Sequence, residues 1–216
     1  MTEGAYSVLI GQLPSLQAGY FFNNKCEIIA IGESGMQPTW HDVIELSQQF
    51  RDTKTAYWLN ENIFTFSWWI LLVTTIGLII VWIIILDKKR IFEIITYGFF
   101  VGTIAILGDA MGVSLGLWQY PNTLTPVPLT IEIHKLQMPI IYMMLYQYFK
   151  TWKAFLIASI INAVVFAFML EPLLVWLQIY EPYHWEHVYS FFPYIIIAVV
   201  FKYLINKFKQ LDQNYQ

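Results

Sequence analysis

The chain has 216 residues with a formal net charge of −3; 57% of them are apolar and only 12% are charged. Soluble domains carry about 25% charged residues, so this composition excludes an ordinary soluble domain and predicts an integral membrane protein. No basic block suits a nucleic acid, so we expect no nucleic-acid partner. The single cysteine, Cys26, excludes an internal disulfide and a thiolate metal site.

Residues 1–62 precede the first long apolar run and are predicted to form an extracytoplasmic tail. We expect no secretory signal, because residues 1–24 contain neither Lys nor Arg and no continuous apolar segment. Further along, the segment TWHDVIELSQQF at 39–50 repeats apolar residues at helical spacing, and Thr39 with Asp42 matches a capping box. This pattern predicts a short amphipathic helix lying on the outer membrane surface.

Five runs of roughly 20 residues are apolar enough to cross a bilayer. The predicted fold class is therefore all-α, a polytopic bundle of five transmembrane helices within residues 63–208, followed by a cytoplasmic tail at 209–216. The predicted spans are 64–86, 91–117, 128–149, 152–172 and 188–206. The third is the weakest because ionisable residues open it, and the sequence leaves open whether 121–135 is fully embedded.

Basic residues orient this bundle. Eight of the twelve Lys and Arg residues fall on one side of a five-span arrangement, while the loops at 121–130 and 178–187 contain none. The positive-inside rule makes the basic side cytoplasmic, which predicts an outside N-terminus and an inside C-terminus. The eight residues are Lys88, Lys89, Arg90, Lys150, Lys153, Lys202, Lys207 and Lys209.

The ionisable residues of the later spans gather at the predicted outer end. Asp109 lies 18 residues after position 91, about 27 Å along a helix and near the outer boundary of a core of about 30 Å. Glu171 lies 19 residues beyond Trp152 and is outer as well. Buried carboxylates are costly unless paired or protonated, so each is either a functional group or a polar clamp between helices. The predicted polar site comprises Asp109, Glu132, His134, Lys135, Glu171, Trp118, Tyr120, Tyr180, His184 and His187.

Small residues in the second span predict close helix packing. Gly108, Gly112 and Gly116 recur every four residues, a spacing that lets a neighbouring helix approach, and Asp109 is expected to face that neighbour. By contrast, Glu93 follows Arg90 by three residues and Lys89 by four, which is an ordinary ion-pair spacing on a helix.

Pro172 is predicted to kink or end the fourth span because it has no amide to donate to the preceding turn. The following segment, 173–180, is then expected to lie along the outer interface, with Trp176 and Tyr180 at the level of the headgroups.

The HWEH segment at 184–187 also permits a metal hypothesis. His184 and His187, together with Glu186, Asp109 and Glu132, provide donors that zinc accepts. Histidines beside interfacial aromatic residues more often contact lipid headgroups, so we expect no metal and no cofactor.

Several segments, in order along the chain, match a known pattern: FTFSWW at 64–69, DKKRIFEIITYGFF at 87–100, GDAMGVSLGLWQYP at 108–121, YQYFKTWKAF at 146–155, EPLLVWLQIY at 171–180 and HWEHVYSFFPY at 184–194. In these the chain resembles an uncharacterised family of small multi-pass membrane proteins of bacilli and clostridia. The resemblance implies a bacterial cell-membrane protein without indicating an activity. Asp109, Trp118, Tyr120 and Glu132 also give a fainter resemblance to small membrane lycopene cyclases, which implies carboxylic acids that protonate a polyene.

Two functions follow as hypotheses. The first is a non-enzymatic membrane protein whose outer, aromatic-rimmed polar pocket binds a ligand, a lipid headgroup or a partner membrane protein. The second is a membrane enzyme that performs proton chemistry on an isoprenoid or lipid, with Asp109, Glu132 or Glu171 as the donor. A transporter is disfavoured, because no inverted repeat is visible and no acid is predicted at mid-bilayer.

Overall fold

The computed structural model of the chain describes residues 37–126 and 136–215. The chain divides into two units, Met1–Arg51 and Asp52–Gln216. The described part is built almost entirely of helices, with one two-stranded ladder, which confirms the predicted all-α class. Residues 1–36, which include Cys26, and residues 127–135 lie outside the described residues.

The first helix, α1, spans Trp40–Tyr57 and begins at a capping box. The Thr39 amide donates to Asp42 Oδ2 at 2.7 Å, and the Asp42 amide donates in return to Thr39 Oγ1 at 3.4 Å. The predicted cap is confirmed, although the helix extends seven residues past the predicted end at position 50. Its apolar residues Trp40 and Phe50 are exposed. Their placement on a membrane surface stays a prediction.

Six further helices follow, and four helical stretches among the described residues are long and apolar enough to cross a membrane. These stretches are Phe66–Ile85, Lys88–Ser114, Trp152–Trp176 and His187–Gln213. The chain is therefore a multi-pass membrane protein in its helical architecture. The helices are α2 (Phe66–Ile85), α3 (Ile91–Ser114), α4 (Met138–Tyr148), α5 (Trp152–Val165), α6 (Glu171–Trp176) and α7 (His187–Tyr215).

The predicted third span corresponds to α4, which has only 11 residues in the described structure. A bilayer crossing needs about 20 residues, so the five-span count and the orientation that depends on it stay predictions. The polar residues predicted to open this span lie outside the described residues, and they are Glu132, His134 and Lys135.

The core forms where α4 meets α3, α5 and α7. Gly98 and Gly102 of α3 admit α4 closely: a Cβ at Gly98 would lie 2.4 Å from the Met143 sulfur, and one at Gly102 would lie 3.1 Å from the Pro139 ring. Small residues at four-residue spacing thus bring the two backbones together. The helix-packing glycines of α3 are this pair, about two to three turns before the predicted series.

The structure corrects the predicted helix-packing role of Gly108, Gly112 and Gly116. A Cβ at Gly112 would lie 2.0 Å from the Trp118 ring, so this glycine makes room for an indole. Gly116 ends the helix at φ +67°, and the Leu117 amide donates back to the Gly112 carbonyl at 2.9 Å. A Cβ at Gly108 would meet no described atom within 4 Å, because this residue borders a cavity.

Pro172 does not end its helix, contrary to one of the predicted outcomes. Residues Phe166–Leu170 form a π-helical turn in which the Glu171 amide donates to the Phe166 carbonyl. This wider turn lies immediately before the proline, which has no amide for an α-helical bond. Helix α6 then continues to Trp176 and ends where Gln178 adopts φ 55°.

The segment beyond this helix is not laid out along the surface as predicted. Leu177, Ile179 and Tyr180 are buried in the described structure, whereas Leu173, Trp176 and Gln178 are exposed. Tyr180 therefore packs against the protein, and the position of Trp176 at the level of the headgroups stays a prediction.

Candidate functional site

Two loops at one end of the bundle are joined by a short antiparallel ladder. Strand β1 (Trp118–Gln119) pairs with β2 (Glu181–Pro182). The amides of Tyr183 and His184 both donate to the Leu117 carbonyl, at 2.9 and 3.0 Å. Since β1 follows α3 and β2 follows α6, the ladder brings together aromatic residues that are about 60 positions apart, namely Trp118, Tyr120 and Tyr180.

Further hydrogen bonds hold these loops against α2 and the turn before it. The Trp58 indole donates to the Thr123 carbonyl at 2.9 Å, and the Asn122 amide donates to the Gln178 carbonyl at 2.9 Å. Ser67 Oγ donates to the Leu177 carbonyl at 2.6 Å. Buried backbone carbonyls are thereby satisfied, so the loops form a defined rim.

A cavity of about 450 Å³ lies beneath this rim. Its walls are mostly apolar and come from α3, α4, α7 and the stretch from the π turn to α6, with Ile104, Met138, Phe166 and Ile197 among them. Five of the predicted site residues line it together, namely Asp109, Trp118, Tyr120, Glu171 and Tyr180. Asp109 and Glu171 thus line the same cavity, and a shared polar site of the two carboxyl groups stays a prediction.

Asp109 is 6% exposed and is held by two donors from the rim. The Tyr120 hydroxyl donates to Asp109 Oδ1 at 2.5 Å, and the Trp118 indole donates to the same oxygen at 3.2 Å. Both donors are neutral, and both belong to the loop that follows the helix carrying the acid. Asp109 therefore ties its own helix to the loop that follows it.

Glu171 is 7% exposed and sits where the π turn gives way to α6. The Tyr194 hydroxyl donates to Glu171 Oε1 at 2.9 Å, and His187 Nδ1 lies 2.7 Å from Oε2. Both partners are on α7, seven residues and thus two helical turns apart on one face. The His187 side chain is 32% exposed, so the pair links the buried carboxyl to the protein surface.

The rim tyrosines are kept as neutral phenols. Burial raises the pKa of Tyr120 well above its usual value, and the neighbouring Asp109 carboxylate adds to the effect. Burial also raises the pKa of Tyr180, with further contributions from Glu171 and then Asp109. Because both carboxylates act on one hydroxyl, Tyr180 lies within electrostatic reach of each. Neutral phenols remain hydrogen-bond donors at physiological pH.

The two histidines of HWEH have separate partners. His187 contacts Glu171, whereas the His184 ring lies outside the cavity and approaches the Gly116 carbonyl at 3.4 Å. Among the described residues, no group of three or more His, Cys, Asp or Glu side chains is placed to hold a metal ion.

Sequence reasoning missed five polar or aromatic residues of the cavity, which are Gln137, Phe166, Trp185, Ser190 and Tyr194. Tyr194 was detectable in principle, because its hydroxyl lies in an apolar helix two turns from His187. Trp185 stacks edge-on against Trp118 at 5.1 Å and donates to Ser190 Oγ at 2.8 Å. Those two contacts depend on how the loops fold, so no local sequence pattern predicts them.

Comparisons of the chain with protein-family models, with curated proteins and with solved structures found no match. The two resemblances drawn from its motifs therefore stay predictions.

Proposed function

We propose that the chain is a bacterial cell-membrane protein that binds an amphipathic, lipid-like molecule in the cavity beneath the two joined loops. The apolar body of the ligand lies among the helices, and its polar head meets Asp109 and Glu171. The observation that carries this proposal is one mostly apolar cavity containing two buried carboxyl groups.

The size and lining of the cavity support a small-molecule site. Ligand pockets are typically about 300–1,000 Å³, mostly apolar, with a few convergent polar groups. This cavity has about 450 Å³ and meets that description. It is also bordered by helices apolar enough to cross a membrane, so a lipid-like molecule reaches it from the bilayer.

The polar groups favour a ligand head that is cationic or donates hydrogen bonds. Asp109 Oδ1 accepts from Tyr120 and Trp118, and Glu171 Oε1 accepts from Tyr194. A cation or a hydrogen-bond donor brought beside carboxyl groups in an apolar site is strongly favoured. An anionic head would meet like charge there.

Binding of dodecylamine to the purified protein tests this proposal, with dodecanol as the neutral probe of equal chain length. We expect Asp109→Asn and Glu171→Gln each to weaken dodecylamine binding about tenfold, the effect of losing one charge-assisted contact. Glu186→Gln is the matched control, because Glu186 is an exposed acid near the same rim but outside the cavity. Equal binding by all three variants would contradict the proposal.

The alternative, an enzyme performing proton chemistry on an isoprenoid, is favoured by one specific contact. His187 links Glu171 to the surface and so provides a route by which a proton used in the cavity is replaced. Incubating the protein with an acyclic polyene in D₂O tests it. An enzyme of this kind incorporates deuterium into product, and Glu171→Gln and His187→Phe abolish the incorporation; absence of deuterated product leaves the binding function alone.

A further inference from the structure

A second pocket, of about 250 Å³, lies near the start of α3, the end of α4 and the second half of α7. We call it the basic pocket. Seven residues line it, namely Arg90, Glu93, Tyr146, Lys150, Lys202, Asn206 and Lys209. Four of these carry positive charge and one carries negative charge, which leaves a formal excess of three positive charges.

The one carboxylate of the pocket is already saturated. Arg90 donates to Glu93 through Nη2 at 3.0 Å and through Nε at 3.2 Å, and Lys209 Nζ donates to Glu93 Oε1 at 3.1 Å. The Tyr146 hydroxyl donates to the same oxygen. The sequence predicted only the Arg90 or Lys89 partner; Tyr146 and Lys209 come from distant elements. Glu93 therefore leaves the remaining cations without a counter-charge.

Lys202 makes this imbalance costly. It is 3% exposed, and its ammonium donates to the backbone carbonyls of Phe149 at 2.7 Å and Lys150 at 3.2 Å. It also lies 3.9 Å from the centroid of the Phe155 ring. Carbonyl dipoles and a ring face stabilise a cation only in part, and a buried charge is costly without an opposite charge. In the part of the chain that the structure describes, neither Lys150 nor Lys202 has a carboxylate within 4 Å.

We infer that the basic pocket binds a phosphate group, carried either by an anionic phospholipid or by a free phosphate compound. Its four cations come from three different elements and border one space, where a phosphate accepts several charge-assisted hydrogen bonds at once. Basic pockets between transmembrane helices are known to receive anionic headgroups. The charge distribution predicts that this end of the bundle is cytoplasmic, where anionic lipids are concentrated. This inference does not depend on the proposed function, which concerns the other cavity.

The experiment measures thermal unfolding of the purified full-length protein with two probes. The first is a nanodisc of phosphatidylcholine with and without phosphatidylglycerol, and the second is inorganic phosphate added in neutral detergent, with chloride at equal ionic strength as the reference. Stabilisation by phosphatidylglycerol identifies a lipid source of the phosphate, and stabilisation by inorganic phosphate identifies a free one.

The variant Lys150→Gln tests whether the effect arises in the pocket. Lys150 is exposed, so the change should leave folding intact while weakening the affinity for the stabilising probe about tenfold. Lys153→Gln is the matched control, since Lys153 is an exposed lysine three residues away that does not line the pocket. Lys202→Met, which removes the buried charge, should abolish the effect; if this variant fails to fold, Lys150→Gln still decides. The inference is overturned if neither probe stabilises the protein, or if Lys150→Gln and Lys153→Gln respond alike.

Discussion

The cavity and the basic pocket each contain an acid of the same helix, and the two acids have partners of opposite character. Asp109 and Glu93 are 16 residues apart on α3, about 24 Å along the axis. Asp109 accepts hydrogen bonds from a neutral phenol and a neutral indole of the following loop. Glu93 is surrounded by Arg90 and Lys209, so its charge is neutralised and cations are in excess. The partners, and not the acid itself, decide which sign of ligand each site favours.

The difference follows from where the partners originate. The donors to Asp109 come from residues 115–126 directly after α3, which include neither Lys nor Arg. The cations around Glu93 come from the turn before α3 and from α7, on the side where most basic residues lie. An uneven distribution of Lys and Arg, which the positive-inside rule relates to topology, thereby also sets the charge that each end presents.

The sidedness of the two sites is an all-or-none prediction and the largest effect expected. In a Cys26→Ser background, a cysteine at the exposed Tyr183 should react with an impermeant maleimide in intact cells, and one at the exposed Gln210 should react only after permeabilisation. The reason is the positive-inside bias of the loops. The reverse labelling pattern would exchange the two ends and contradict the predicted orientation.

Removing the acceptor at Asp109 should destabilise the protein more than removing the one at Glu93. Asp109→Leu leaves the buried Tyr120 Oη and the half-buried Trp118 Nε1 without this acceptor, at about 1–3 kcal/mol for a buried donor. Asp109→Asn keeps an oxygen and should lose less. Among the described residues, Glu93→Leu leaves only one buried donor, the Tyr146 hydroxyl, without this acceptor, because the half-exposed Lys209 reaches water. Thermal unfolding in detergent ranks the stabilities of the three variants. Equal losses of stability for Leu and Asn at position 109 would show that these hydrogen bonds contribute little.

Two glycines one turn apart should respond with opposite signs to the same substitution. Gly112→Ala places a Cβ against the Trp118 ring, and overpacking of this kind costs about 1–3 kcal/mol. Gly108→Ala meets open space among the described residues and should gain up to about 1 kcal/mol from helix propensity. Chemical denaturation of both variants measures the difference. A loss of equal size at Gly108 would mean that a neighbour packs there after all.

The smallest effect concerns alkaline pH at the cavity rim. Because burial and two carboxylates raise the pKa of Tyr180, its stabilising contribution is complete below the unfolded value, about 10, and is lost as the pH rises above it. Tyr180→Phe cannot ionise, so its melting temperature should fall less steeply from pH 9 to pH 11. The exposed Tyr203→Phe is the control. Identical slopes for parent and Tyr180→Phe would argue against the burial of this hydroxyl.

Much of the architecture was predictable because it depends on local composition. Long apolar runs have to be helical in a membrane, since the backbone can only bond to itself there, and four of the five predicted spans have counterparts of sufficient length. The capping box at Thr39 and Asp42 was also predictable from local sequence, because its partners are three residues apart. Likewise, counting turns along α3 placed Asp109 at the same end as Glu171.

Only the tertiary structure decided which partners the residues singled out from the sequence contact. The glycine spacing at 108–116 resembled a helix-packing stripe, but α4 meets α3 at Gly98 and Gly102, so the later glycines serve an indole, a helix end and a cavity. Pro172 was predicted to kink or end the helix, but the π turn at Phe166–Leu170 lies directly before it and the helix continues. Lys202 was predicted to mark the cytoplasmic end of the last span, whereas in the structure it is buried among aromatic rings and backbone carbonyls. Local sequence sets which residues are helical and which are polar, whereas packing decides which of them meet, because contacts such as Ser67–Leu177 and Lys202–Phe149 join residues 110 and 53 positions apart.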